Sequence, residues 1–368
     1  MESLIRISAI VFKELRQLSR DRLTFGMVVM LPLIQLLLFG YAINNNVRNI
    51  PVGVVDLAQS STSRLIIDTV RATQVVDLRE SYLGLQQAED AITRGDVRAV
   101  LVLPKDLEER WSGKERNRPL GQWLIDASDN VVTSALLALR DLPLAMRTGM
   151  PASQAIPNFE VTLYFNPERR TPVNIVPGLL AVILTMTMIL FTATAIVREK
   201  ERGNLELLIT TPVRSLELML GKIVPYIFIG VVQTSIILGL GHLVFAVPIN
   251  GPMLHILGAT LMFIAASLTF GLIISTIAKT QLQAMQMTVF VLLPSILLSG
   301  FLFPYEGMPR PAQLIAETLP ATHFMRMIRG VVLRDARLDD LSTDAWFLCS
   351  FTVVGLIAAT LKFHKSLD

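Results

Sequence analysis

The sequence predicts an α-helical polytopic membrane protein: six transmembrane helices, with an α/β extracytoplasmic domain inserted between the first and second. Three observations lead there. Of 368 residues, 52% are apolar and only 17% charged, where soluble domains carry about 25% charge. Six stretches contain no Asp, Glu, Lys or Arg: Leu23–Ile43, Ile175–Val197, Ile223–Phe245, Met253–Ile277, Leu282–Phe303 and Ala345–Leu361. Each approaches the ~20 residues that cross a bilayer as a helix, the form in which a spanning backbone satisfies its own polar groups. Between the first two lies Asn44–Asn174, of ordinary soluble composition and long enough to bury a core.

The elements follow in order. In residues 1–22, Leu4, Ile7, Val11, Leu15 and Leu18 share one helical face while Arg6, Lys13, Arg16 and Arg20 lie elsewhere, the pattern of a helix lying in the cytoplasmic interface. The span 23–43 has too long an apolar core, and no small-residue cleavage site after it, to be a removed signal peptide. Within 44–174, Pro51–Asp56, Val97–Leu103, Gln122–Asp126 and Glu160–Phe165 read as strands. Thr62–Ala72, Leu85–Arg94 and Val131–Met146 read as helices, the last capped by Ser128 or Asp129. Their alternation predicts a small α/β domain. After the span 175–197 comes a charged segment, 198–222; the spans 223–245, 253–277 and 282–303 follow, then a segment of short external helices, 304–344, the span 345–361 and a tail, 362–368. Pro294 and Ser299-Gly300 predict a kink or an end in the fifth span.

Lys and Arg set the orientation. With the N-terminus inside, the cytoplasmic pieces hold Arg6, Lys13, Arg16, Arg20, Arg22, Arg198, Lys200, Arg202, Arg214, Lys222, Lys279, Lys362 and Lys365. The short external pieces hold Arg310, Arg326, Arg329, Arg334 and Arg337. Both termini are thereby predicted in the cytoplasm. In Pro320–Asp335, Phe324, Ile328 and Val331 or Val332 face one way and Arg326 and Arg329 the other, so these external arginines are expected against packed protein or lipid headgroups.

No enzyme signature is present. Gly221-Lys222 and Gly113-Lys114 are followed by Ile223 and Glu115, not by the hydroxyl of a phosphate-binding loop. His242, His255, His323 and His364 lack metal-ligand spacing, and Cys349 is the single cysteine. A net charge of +3 without a basic patch disfavours nucleic acid. The spans contain no carboxylate to carry a proton, so energy for uphill transport is expected from another chain. The segment after the second span suits that role. Its charges alternate in sign, pairing Glu199 with Arg202 or Arg198 with Glu201 at helical spacing, Leu205, Leu208 and Ile209 give it an apolar face, and Thr211-Pro212 starts a second short helix running to Gly221. The same segment also reads as a solvated loop whose charges only set topology. Thr185 in the second span and Gln283 and Gln286 near the cytoplasmic mouth of the fifth are candidate lining residues of a translocation path; most other span polars are expected to bond between helices. Ser267, Gly271 and Ser275 form a ridge of small residues suited to close packing, within one subunit or between two.

Glu199 to Pro212 resembles the E-x-E-x-G-[TN]-x-E-x-L-x-x-[TS]-P signature of ABC-2 type permeases, the membrane subunits of ATP-binding-cassette exporters. Lys13-Glu14-Leu15 with Arg20-Asp21, Leu31 to Gly40, Phe165-Asn166-Pro167-Glu168, Val176-Pro177-Gly178, Leu298-Ser299-Gly300-Phe301, and Pro320, His323, Phe324, Arg329 and Leu333 are similar to the drug-efflux-like branch with a large external domain. Thr171-Pro172-Val173 stands where that branch commonly has a bulkier, aromatic approach to the second span. The resemblance implies a non-enzymatic transport subunit of the bacterial inner membrane, working as a dimer with itself or a sister permease. It implies docking on separate ATPase subunits that hold ATP and Mg, so that no cofactor binds this chain, and an external domain meeting a periplasmic adaptor or the substrate. It further implies that Glu199, Arg202, Gly203, Glu206, Thr211 and Pro212 belong to the coupling element and that the second and fifth spans flank the path. Two other readings stand beside it: a membrane-anchored receptor or scaffold with an external sensing domain, and a sodium-coupled carrier.

Overall fold

Successive side chains of a strand point to opposite faces, so a continuous run of apolar residues must bury on both. In the computed structural model, which describes residues 48–112, 118–142, 158–201 and 215–362, the side chains of 215–224 excepted, they do so in a five-stranded mixed sheet. Its strands are β1 (Ile50–Asp56), β2 (Val76–Ser81), β3 (Ala99–Leu103), β4 (Gly121–Asp126) and β5 (Phe159–Tyr164), in the order β2-β1-β3-β4-β5. Only β3 and β4 run antiparallel. The chain moves outward from β1 to β2 and then back across β1 to β3. Right-handed crossovers therefore put α1 (Ser61–Ala72) and α2 (Leu85–Arg94) on opposite faces. The cores agree: Ile66 and Val70 of α1 pack with Val52, Leu101 and Trp123, and Ala88, Ala91 and Ile92 of α2 with Val55, Val100 and Leu124. Short α3 (Leu107–Trp111) and α4 (Asn130–Leu137) join the first face.

The four strands and the first two helices expected from the sequence are all present. β2 escaped because it is an edge strand with only Val76 buried, and its Asp77, Arg79 and Glu80 read as loop. α4 is shorter than the predicted 131–146: it passes into a 3-10 turn, Ala138–Asp141, and Leu142 is extended (ψ 124°), as the residue ahead of Pro143 prefers to be.

Among the described residues, five helices are long and apolar enough to cross a membrane: α5 (Thr171–Glu201), α6 (Ser215–Phe245), α7 (Met253–Ile277), α8 (Gln281–Leu298) and α11 (Ser342–Lys362). The interfacial helix 1–22, the span 23–43, residues 202–214 of the charged segment and the tail from 363 onward lie outside the described residues. α5 and α7 form the inner pair, with 61% of each apolar stretch buried; α5 also packs on α6 and α8, and α7 on α11. The small-residue ridge belongs to this pair. Gly271 lies where a Cβ would stand 2.7 Å from the Ile189 carbonyl and 2.8 Å from Thr192, and Ser267 and Ser275 are buried, so the ridge packs within the subunit.

Two predicted boundaries change. α8 ends at Leu298, not at 303, because Gly300 turns left-handed (φ 83°), the usual glycine stop of a helix. The short helix expected to end at Gly221 is instead part of one continuous α6, which runs on through Pro225. Beyond α8 the expected short helices appear as α9 (Arg310–Ala316) and α10 (Pro320–Arg334), after a 3-10 turn at Tyr305–Gly307.

Replacing Gly271 with leucine should force α5 from α7 and destabilise the fold by roughly 1–3 kcal/mol. Gly239→Leu, where nothing lies within 4 Å of the added Cβ, should be nearly neutral. Thermal denaturation of the detergent-purified proteins compares them; equal melting temperatures would remove the packing role of Gly271.

Candidate functional site

α10 is the joint between the sheet and the helix bundle. Every residue of it except Arg326 is buried. Its apolar face enters the bundle, where Phe324 stacks on Phe263 of α7 with ring centroids 4.0 Å apart and Ile328, Val331 and Val332 join the main core. The segment between α6 and α7 closes over its end: the Asn250 side chain donates to the Leu333 carbonyl at 2.7 Å, and a Cβ at Gly251 would strike the Val331 carbonyl.

The other face carries arginines, and the α/β unit supplies their counter-ions. Asp129 caps α4, its Oδ1 accepting from the Val131 and Val132 backbone N–H groups at 2.9 and 3.3 Å, and its Oδ2 accepts from Arg329 at 3.3 Å. Arg329 also donates to Asn174 at the head of α5. Asp126, at the end of β4, accepts from Arg98 at 3.1 Å and from Arg334 at 3.5 Å. Arg98, just before β3, reaches back across the joint to Glu306 at 2.7 Å. Three guanidiniums thus face three carboxylates, and the Asp126 and Arg334 side chains are only 1% and 4% exposed. Burial alone would raise the Asp126 carboxyl, but the charges of Arg334 and Arg98 hold it below the usual range. Glu306 is likewise held down against burial, chiefly by Arg98. Burial pulls Arg334 down to about 10, against the attraction of Asp126.

Nearby, α10 is pinned to α11 and to the residue after α9. His323 Nδ1 lies 2.6 Å from Asp344 Oδ1 and its Nε2 3.0 Å from the Glu317 carbonyl, while the ring stacks on Phe347. Arg326 donates to Glu317 and Asp344 and lies over the Tyr305 ring. Of the arginines predicted to meet protein or headgroups, Arg326 and Arg329 meet protein. A crevice of about 880 Å³ opens between the sheet and the bundle, lined by Arg98, Glu306, Arg326, Arg329 and Arg334 together with Arg79, Arg94 and Arg310.

Several short motifs singled out in the sequence meet in space. Asn166 clamps the turn from β5 into α5, accepting from the Arg170 backbone N–H and donating to the Arg170 carbonyl, across two non-glycine residues at positive φ, Phe165 and Arg169. Arg169 bonds Ser134 of α4, and Arg170 the Ala246 carbonyl, so the approach to α5 contacts the α/β unit despite its lack of an aromatic residue. Gly178 faces the Phe301 ring so closely that a Cβ would collide with it.

At the opposite end of α5, Glu199 is partly buried. Glu201 does not pair with Arg198; its carboxylate accepts from the Gln281 backbone and side chain, at 2.9 and 2.5 Å, and ties the end of α5 to the start of α8. Arg202, Gly203, Glu206, Thr211 and Pro212 lie outside the described residues. The candidate path residues do not converge. Thr185 is buried between α5, α8 and α10 in a narrow gap beside Ser295 and Ala321, and its hydroxyl is spent on the Ala181 carbonyl. Gln283 accepts from the Lys279 backbone N–H, and its own N–H is capped by Thr280. Gln286 Oε1 is buried without a partner among the described residues. Thr187 donates to Gln233 at 3.0 Å, a bond between membrane helices of the kind expected of the span polars.

The family described as ABC-2 family transporter protein matches residues 22–361. The chain is similar to the probable multidrug ABC transporter permeases YbhS and YbhR of Escherichia coli strain K12, 28% and 26% identical, over 99% and 98% of this chain and 98% of each relative. It is also 31% identical to the inner membrane transport permease YhhJ of the same strain over 58% of both chains. No solved structure matches the chain.

Asp126→Asn should leave Arg98 and Arg334 short of a counter-charge and cost about 3–5 kcal/mol, as breaking a buried pair does. Because Asp126 and Glu306 are held low, their contribution is complete above the ordinary carboxylate pKa of about 4 and vanishes as pH falls through their lowered values. Melting curves from pH 7 to pH 3 should fall steeply at the acid end, and less so in the variant. A pH-independent melting temperature would contradict the assignment.

Proposed function

Because the chain belongs to the ABC-2 family of transporter proteins, we propose that it is the membrane-spanning permease subunit of an ATP-driven exporter in the bacterial inner membrane. The observation that carries this reading is a match over residues 22–361 in a chain whose membrane helices hold no carboxylate in their apolar stretches and whose sequence has no phosphate-binding loop. Hydrolysis then belongs to partner ATPase subunits that bind ATP and Mg. Two permeases, identical or sister chains, enclose the path, and the cargo is a drug or another hydrophobic or amphipathic compound, in keeping with the multidrug names of YbhS and YbhR.

In this reading six spans include 23–43, both termini lie in the cytoplasm, and residues 44–174 with 304–344 lie outside, where the α/β unit meets a periplasmic adaptor or the substrate. The segment 198–222, with Glu199, Arg202, Gly203, Glu206, Thr211 and Pro212, receives the ATPase, aided by residues 1–22. The tie from Glu201 to Gln281 supports this, because it couples that segment mechanically to α8 as well as α5. Thr185, Gln283 and Gln286 are placed beside the path on the same two helices. The capped Gln283 serves it structurally, and Gln286 carries an acceptor with no partner among the described residues.

Co-purification with an ATPase subunit from the same cell should yield a stable complex that moves hydrophobic cargo in inverted vesicles when ATP is added. No complex with any such subunit would sink the proposal. Arg202→Glu and Glu206→Arg should insert normally and retain ATP hydrolysis in the complex while losing at least ~10-fold in transport, a coupling loss of about 1.4 kcal/mol. Transport at the unaltered rate by both variants would remove this segment from the coupling role.

A further inference from the structure

Two buried arginines at the joint have more donors than the protein gives acceptors. A guanidinium carries five N–H groups. Arg329 spends two, on Asp129 and Asn174, and Arg334 makes a single 3.5 Å contact to Asp126. Neither Nε has an acceptor among the described residues, although the side chains are only 6% and 4% exposed. Both line the 880 Å³ crevice between sheet and bundle.

The rest of the lining does not offset this. Arg79, Arg94 and Arg326 are held by Asp77, Asp96 and by Glu317 with Asp344. Most of the carboxylates face a basic side chain: Asp129 and Glu306 face Arg329 and Arg98, and Asp344 faces His323 and Arg326, while Asp340 accepts from the Arg337 backbone N–H. Arg310, an exposed lining residue on α9, has no ion pair or hydrogen bond among the described residues. Arg334, Arg329 and Arg310 thus keep N–H groups without an acceptor among the described residues, and such donors suit a group rich in acceptors and negative in charge. α9 also exposes Leu314 (72%) and Ile315 (49%), and Leu302 ahead of it is 48% exposed, so apolar surface lies beside the charged opening.

We propose that this crevice binds the phosphate or carboxylate head of an anionic amphiphile, with Arg334 and Arg329 at its buried end and Arg310 at its open end. The head takes the spare N–H groups, and the tail lies along Leu302, Leu314 and Ile315. The proposal concerns binding and stands apart from the direction or energy source of transport.

Native mass spectrometry of the full chain released from neutral detergent tests it with three probes: phosphatidic acid, diacylglycerol with the same acyl chains, and inorganic phosphate. Phosphatidic acid should be retained at least tenfold better than diacylglycerol. Its retention should fall at least tenfold in R310Q, which removes an exposed charge without a partner among the described residues and leaves the fold intact, and in R334K, which keeps the charge but loses the fork. Retention of inorganic phosphate with the same dependence on both arginines would support the anion site and show that the free ion suffices. Equal retention of phosphatidic acid and diacylglycerol, undiminished retention in both variants, or retention of neither phosphatidic acid nor inorganic phosphate would overturn the proposal.

Discussion

Charge held away from water must be answered by charge, and the architecture turns on that constraint at α10. A helix with Phe324, Ile328, Val331 and Val332 on one side is drawn into the bundle. The same docking would strand Arg329 and Arg334 at a cost of several kcal/mol per ion. Asp126 and Asp129 remove that cost only if the C-terminal end of β4 and the cap of α4 are brought against the bundle. The position of the sheet is therefore a consequence of ion pairing, and Arg98 with Glu306 closes the circuit from the other side. The apolar core of α10 and the counter-ions of the α/β unit cannot be satisfied separately.

Much of the fold was legible in the sequence, for identifiable reasons. Helices α5, α7 and α11 match their charge-free runs because in an apolar medium composition and backbone satisfaction point the same way. Strands β1, β3 and β4 were readable because each buries two faces. The losses occur where those signals part. β2 is polar because it is an edge, and α8 stops at Leu298 although the residues after it stay apolar. Gly221 looks like the end of a short helix, yet the helix runs past it and through Pro225.

The candidate site was less legible. In the sequence, Arg326 and Arg329 stand out as the charged side of an otherwise apolar external helix, and Asp129 as a helix cap. Asp126, Arg98 and Glu306 carried no local sign of their role, because their partners lie up to 208 residues away. An arginine inside an otherwise apolar helix shows only that a partner exists, and a single sequence does not say which. The short motifs behaved differently: Asn166, Gly178, Phe301, His323 and Phe324 stand out by their resemblance to family motifs, and all are contact points.

Helix α5 has a further consequence. It runs without interruption from Thr171 to Glu201, 31 residues, or about 46 Å at 1.5 Å per residue. One end follows the Asn166 clamp below the sheet and the other is tied to Gln281. A tilt of roughly 5° about one end would carry the other by about 4 Å over such a length, more than the reach of a hydrogen bond. Small rotations at the Glu201 end would thus arrive at the sheet as displacements large enough to exchange one set of partners for another, with no residue along the rod needing to change its own conformation.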